Sequence, residues 1–351
     1  MDPNTLSIVQ GAAGAGGGPY EGDLAGAHST TPFISVYPWT SGTGFGTKYT
    51  DPSTLPTDGQ FEECYFSPDG ADLAVAHVAS PYIYVYPWTS GTGFGTKYAD
   101  PSTLPPGACY GVAFSPDGAD IAVTHWATPF ITVYPWSSGF GTKYANPSTL
   151  PAEYGMGCCF SPDGADLAVA HADSPFITVY SWDAGFGTKY SDPSTTPAYH
   201  GVGVAFTPDG ADIAVAHYTA DYISVYPWTS GTGNGFGTKY LDPSTPPTGS
   251  GSGVAFSPDG ADIAVAHDTS PYVSVYPWTS GFGAKYSDPS TTPTGSGRSV
   301  AFTPDGADIA VGHNDPPYIS VYPWDAGFGT KYLDPSTTPT GTCYHVAFSP
   351  A

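Results

Sequence analysis

Phe256-Ser257-Pro258-Asp259-Gly260-Ala261-Asp262-Ile263-Ala264-Val265-Ala266-His267 opens a block that recurs along almost the whole chain. With its proline as marker, the copies start at Pro68, Pro116, Pro162, Pro208, Pro258, Pro304 and Pro350. The steps between them are 48, 46, 46, 50, 46 and 46 residues. A period of this size means that each unit is one supersecondary element that buries its faces only by stacking on its neighbours.

Within one unit, residues 253–256 read as a short strand, and Ser257-Pro258-Asp259-Gly260 as a tight turn with proline and glycine in favourable slots. Residues 262–267 form a second strand. Its alternation sets Ile263, Val265 and His267 on one face and small alanines on the other. After the Ser270-Pro271 break comes a third strand over 272–276, closed by Trp278, and a fourth over 282–286. Asp288-Pro289-Ser290-Thr291 starts the return to the next unit. Four antiparallel strands per unit, repeated radially, predict an all-β chain folded as a β-propeller.

The ends decide the closure. The first-strand phenylalanine occurs seven times, from Phe66 to Phe348, and the second-strand histidine seven times, from His28 to His313. The two sets are out of phase. The chain enters at a second strand and stops just after a first one. The expectation is a seven-bladed β-propeller over residues 20–351, closed by a seam blade with one C-terminal and three N-terminal strands, which leaves no open sheet edge there.

Composition narrows the function. Among 351 residues the formal net charge is −23, and 45 glycines and 38 prolines fit short strands joined by turns. Every lysine occupies the same slot of its repeat, from Lys48 to Lys331, so there is no basic patch and the charge argues against nucleic acid as a partner. No run is long and apolar enough for a membrane helix, which argues against membrane insertion. The first residues lack the pattern of a signal peptide, so the expected setting is synthesis in the cytoplasm with release as part of a virion or extracellular assembly. Cys64, Cys109, Cys158, Cys159 and Cys343 show no metal-ligand spacing and read as small buried hydrophobes. No cofactor and no metal are implied.

The block Phe-Ser-Pro-Asp-Gly followed by Ala-Asp-Leu/Ile-Ala-Val resembles the seven-bladed propellers of the WD-repeat and YVTN or lactonase-like group, over residues 20–351. The Trp-Asp ending of typical WD blades is absent. The near-identity of the repeats also looks like that of phage and viral structural proteins. The resemblance implies the fold, whereas function depends on the sites grafted on it.

Repeated residues are expected to serve the scaffold. Seven histidines in equivalent places lie too far apart to share an ion, so each should be a partly buried group bonded to a neighbouring blade. The tryptophans from Trp39 to Trp324 read as packing residues at strand ends, with sugar stacking as the alternative. Asp69, Asp72 and their equivalents, and the Asp-Pro-Ser-Thr segments, read as turn-forming.

Against that background two positions vary. Six residues before the marker stand Glu62, Tyr110, Met156, Val202, Ser252, Arg298 and Tyr344. After the repeated histidine stand Ser29, Val78, Trp126, Ala172, Tyr218, Asp268 and Asn314. Both positions should open on one rim of the central channel, which is what a recognition surface on a rigid frame requires. A ligand-binding face is expected at Trp126, Tyr218, Asp268, Asn314, Val78, Glu62, Tyr110, Met156, Arg298 and Tyr344. Glu63 and His345 share one slot in adjacent blades and form a possible charge cluster. A carboxylate beside a histidine near a channel mouth could also act as acid and base.

Residues 1–19 stand outside the repeats. A Gly/Ala-rich linker separates the propeller from a short apolar peptide, where Leu6, Ile8 and Val9 could anchor the chain to neighbouring assembly subunits by strand addition. The combined expectation is a non-enzymatic propeller, a virion tail, fibre or surface-decoration component that recognises a cell-surface receptor or glycan. Two alternatives stand beside it: a purely structural scaffold protein and a lactonase-like hydrolase.

Overall fold

The computed structural model describes residues 18–55, 59–231 and 233–351. Seven antiparallel sheets follow one another along the chain. The seam is as expected from the ends: inner strand Cys343–Phe348 pairs with Glu21–His28, which pairs with Ile34–Thr40. The fourth strand is less regular than the repeat suggests. It is a short strand in three blades and a single bridge, such as Trp278 to Phe282, in the other four. Glycine and proline crowd that stretch and leave few ladder donors.

The turn between the first two strands shows why Ser/Thr-Pro-Asp-Gly is repeated. Gly70 takes φ 69°, which favours glycine, and its amide donates to the Ser67 carbonyl at 2.8 Å. Asp69 Oδ1 accepts from Ser67 Oγ and from the Ala71 amide at 2.6 and 3.0 Å. Asp69 is therefore a turn former, as expected.

Asp72 has a different role. It is buried, and its carboxylate accepts from Tyr98 of its own blade and from Trp136 Nε1 of the next, at 2.9 and 2.8 Å. Equivalent bonds join Trp39 to Asp308, Trp182 to Asp120 and Trp278 to Asp212. All seven repeated tryptophans are buried, which removes them as sugar-stacking candidates and makes them latches between blades. The Asp-Pro-Ser-Thr segment is pinned as well: the Thr54 carbonyl accepts from Tyr86, and Asp51 pairs with Lys48.

The alternation of the second strand becomes the packing between blades. Ile263, Val265, Tyr276 and Trp278 of one blade press on Ala214, Ile223 and Val225 of the preceding one. Large side chains on one face need small ones opposite them, so Ile-Ala-Val-Ala repeats. The histidines depart from expectation. They are fully buried and bond inside their own blade, as in His267 Nε2 to Ser274 Oγ at 3.0 Å.

Candidate functional site

Each inner strand carries a bulge near its start. In one blade Gly251 faces His267 while Gly253 faces Ala266, which leaves Ser252 as the extra residue. The bulged residue is the variable one six before the marker proline. A bulge re-aims a side chain out of the ladder, and all seven of these residues are half-buried at the channel mouth.

The next residue inward is glycine in four blades, because the inner strands nearly touch there. A Cβ built on Gly157 would lie 2.6 Å from the Val202 carbonyl, and one on Gly203 would lie 3.2 Å from the Gly253 Cα. Three consecutive blades carry Ser299, His345 and Glu63 instead. Each side chain reaches the following blade. Ser299 Oγ accepts from the Val346 amide at 2.8 Å, and Glu63 Oε2 accepts from the Val112 amide at 2.8 Å.

His345 Nε2 meets Glu63 Oε1 at 3.3 Å, while its Nδ1 lies 4.0 Å from Cys64 Sγ. About a fifth of each side chain, 21% for His345 and 19% for Glu63, remains accessible. Burial pushes the Glu63 carboxyl up to about 8 and the His345 imidazole down to about 4. At neutral pH the pair is therefore a carboxylic acid donating to a neutral imidazole, one proton held between two groups. Cys64 is fully buried and its thiol is pushed well above its ordinary range, so it does not serve as a nucleophile. All five cysteines are free thiols. Among the described residues no three His, Cys, Asp or Glu side chains gather as a metal site.

Several of the variable residues form a group of their own, and two of them, Glu62 and Tyr344, precede Glu63 and His345 directly in their strands. Arg298 Nε donates to Asn314 Oδ1 at 2.7 Å, joining both variable positions of one blade, and its guanidinium lies 6.0 Å from the Tyr344 ring centre. The charge of Arg298 opposes the burial that raises Glu62 and Tyr218 above their ordinary values. The charge of Glu62 in turn adds to the burial that raises Tyr110. Glu62, Tyr110, Tyr218, Arg298 and Tyr344 thus form one electrostatic group from several blades. Val78 and Met156 take no part in it: Met156 is a half-buried bulge residue and the Val78 amide donates to the Gln60 carbonyl at 3.3 Å, whereas the charge of Asp268 adds to the burial that raises Tyr218. Leu6, Ile8 and Val9 lie outside the described residues.

Trp126 stands apart, and the sequence reading missed its company. Its ring stacks on Tyr154 with centres 4.3 Å apart, and Tyr154 meets His200 edge-on at 85°. His200 stacks on Tyr199 at 4.0 Å. Tyr154 and His200 occupy a third variable position, eight before the marker, where other blades have Gln60, Ala108, Ser250, Ser296 and Thr342. That position pairs with the residue after the histidine, as the Trp126 amide to Ala108 carbonyl bond at 2.9 Å shows. Its variability was the available signal.

No family model matches the chain, and no curated protein matches it. Solved structures do. The periplasmic gluconolactonase of Pseudomonas aeruginosa superposes with a TM-score of 0.69 at 15% identity, over 94% of this chain and 99% of that one. A protein provisionally named a 6-phosphogluconolactonase from Bacteroides fragilis gives 0.68 at 14%, over 93% and 98%. Hydrazine synthase of Kuenenia stuttgartiensis gives 0.60 at 17%, over 78% and 80%. These matches correct the expectation of a non-enzymatic virion component. Three chains matched over nearly their whole length carry lactonase names, and the viral resemblance of the repeats finds no support. At these identities the likeness shows the fold, a seven-bladed propeller of the kind found in lactonases.

Proposed function

We propose that the chain is a lactonase-like hydrolase that opens a cyclic ester at the Glu63–His345 pair. The observation that carries this reading is the 3.3 Å contact between the two side chains at the glycine ring, with both kept partly accessible. The lactonase names of the superposed structures support it.

A mechanism follows from the neutral pair. Glu63 turns its proton from His345 Nε2 toward the ring oxygen of the lactone, and the freed Nε2 takes a proton from the water that attacks the carbonyl. As the ring C–O bond breaks, Glu63 passes its proton to the leaving alkoxide. The product is a hydroxy acid, and the pair is left as imidazolium and carboxylate. One transfer across the 3.3 Å contact restores the starting form. Arg298, the only arginine in the sequence, stands one residue nearer the rim on the neighbouring inner strand and supplies positive charge for the developing oxyanion.

The test is a panel of five- and six-membered lactones followed by acid release, with the parent and Glu63→Gln compared. The amide of the variant still accepts from Val112, so the fold is kept. Activity above the buffer rate in the parent, reduced about 10²–10⁴-fold in the variant, is expected. A parent inactive across the panel overturns the proposal.

A further inference from the structure

The aromatic corner beside the channel has no part in that reaction. It borders an open cleft of about 440 Å³ between the loops of three consecutive blades. Trp126, Tyr154, Phe176, Tyr199 and His200 wall it, and Glu153 and Asp173 are its only acidic residues, with no lysine or arginine among the lining side chains. Trp126 is 55% exposed and Tyr199 45%, whereas every other tryptophan is buried behind a latch. Packing does not account for a tryptophan left this open.

The geometry points to a binding site for a small organic cation of the quaternary or tertiary ammonium type. Three features favour this class. The two ring stacks meet at a right angle through Tyr154 and His200, so they form a corner and not the single flat platform on which a sugar ring lies. Aromatic faces attract a cation through their quadrupoles, most strongly where it is desolvated. Glu153 and Asp173 add full negative charges, and a chain of net charge −23 raises the local concentration of cations.

The probe is choline, titrated at constant ionic strength against its neutral carbon isostere 3,3-dimethylbutan-1-ol and against methyl glucoside. Trp126 is the one exposed tryptophan among eight, so the fluorescence difference between parent and Trp126→Phe reports the site. Saturable binding of choline at least tenfold tighter than the isostere is expected. Glu153→Gln with Asp173→Asn should weaken it several-fold without changing the melting temperature. Equal binding of isostere and choline reduces the cleft to an apolar pocket and overturns the proposal. Binding of methyl glucoside in preference to choline, or no saturable signal at all, overturns it too.

Discussion

Trp88 Nε1 donates to Asp23 Oδ2 at 2.9 Å across the boundary between two blades, and Tyr49 donates to the other oxygen of the same carboxylate at 2.7 Å. One buried carboxylate thus joins strand two of its blade, the return segment of that blade and the next blade's third strand. Repeated seven times, this latch replaces the covalent closure that a ring of sheets lacks. Bonds to a charged acceptor contribute about 1.5–3 kcal/mol each. Asp23→Ala leaves the buried Trp88 N–H and the part-buried Tyr49 hydroxyl without their acceptor and is expected to cost roughly 2–4 kcal/mol. Trp88→Phe leaves Tyr49 in place and should cost less. Urea unfolding of the two variants gives the order, and equal losses would show that packing of the indole, not its N–H, does the holding.

Acid should unfold the protein early. Burial pushes His28, His125, His171, His217, His267 and His313 down to about 4. An unfolded histidine titrates near 6.5, so between these values the unfolded chain binds protons that the folded one refuses. The histidine contribution is therefore flat above about pH 6.5, falls as pH drops, and reaches its full loss near pH 4. Each histidine contributes about 3 kcal/mol over that window. Glu63 works in the opposite sense, since its raised carboxyl binds a proton in the fold, but it is one group against these six and His345, which burial lowers to the same value. Two or three histidines exhaust the roughly 5–15 kcal/mol of a typical fold. The melting temperature should drop steeply below pH 6; a value unchanged down to pH 4.5 would contradict neutral buried imidazoles.

The architecture was legible because its causes are local and repeated. Ser/Thr-Pro-Asp-Gly dictates a turn, Ile-Ala-Val-Ala dictates two unlike faces, and the phase of Phe66–Phe348 against His28–His313 dictates the seam. The partner of a repeated polar residue was not legible. Asp69 and Asp72 look alike in sequence, yet one closes a turn and the other latches two blades, a distinction made by packing between distant segments. The histidines misled for the same reason, since Ser274 lies in the same blade as His267 and only the register reveals the bond. Glu63 and His345 were visible as a shared slot, but the glycine contacts that make the slot special arise only when the ring closes.

That ring of glycines makes its own prediction. A Cβ on Gly157 would sit 2.6 Å from the Val202 carbonyl oxygen, which is backbone of the next blade and cannot swing aside. Gly157→Ala should cost about 1–3 kcal/mol as an overpacked site. Its melting temperature checks this. A neutral result would mean that the inner strands can separate freely, and Glu63 and His345 would then lose their tight frame.

The pH dependence of lactone opening bears most directly on the pair. The working form needs Glu63 protonated and His345 neutral, a combination bounded by about 8 and about 4. Histidine-driven unfolding intrudes on the acid side, so the alkaline limb is the informative one. After subtraction of the hydroxide-driven background, kcat should be level near pH 7 and fall about tenfold per pH unit above 8. Glu63→Gln presents an amide that can donate a hydrogen bond to His345 but cannot hand over a proton to the leaving oxygen. Its kcat should drop, and the limb near 8 should vanish from what remains. If the limb persists at 8 in the variant, the titrating group is another residue, and Glu63 serves only to bind the Val112 amide, as Ser299 binds that of Val346.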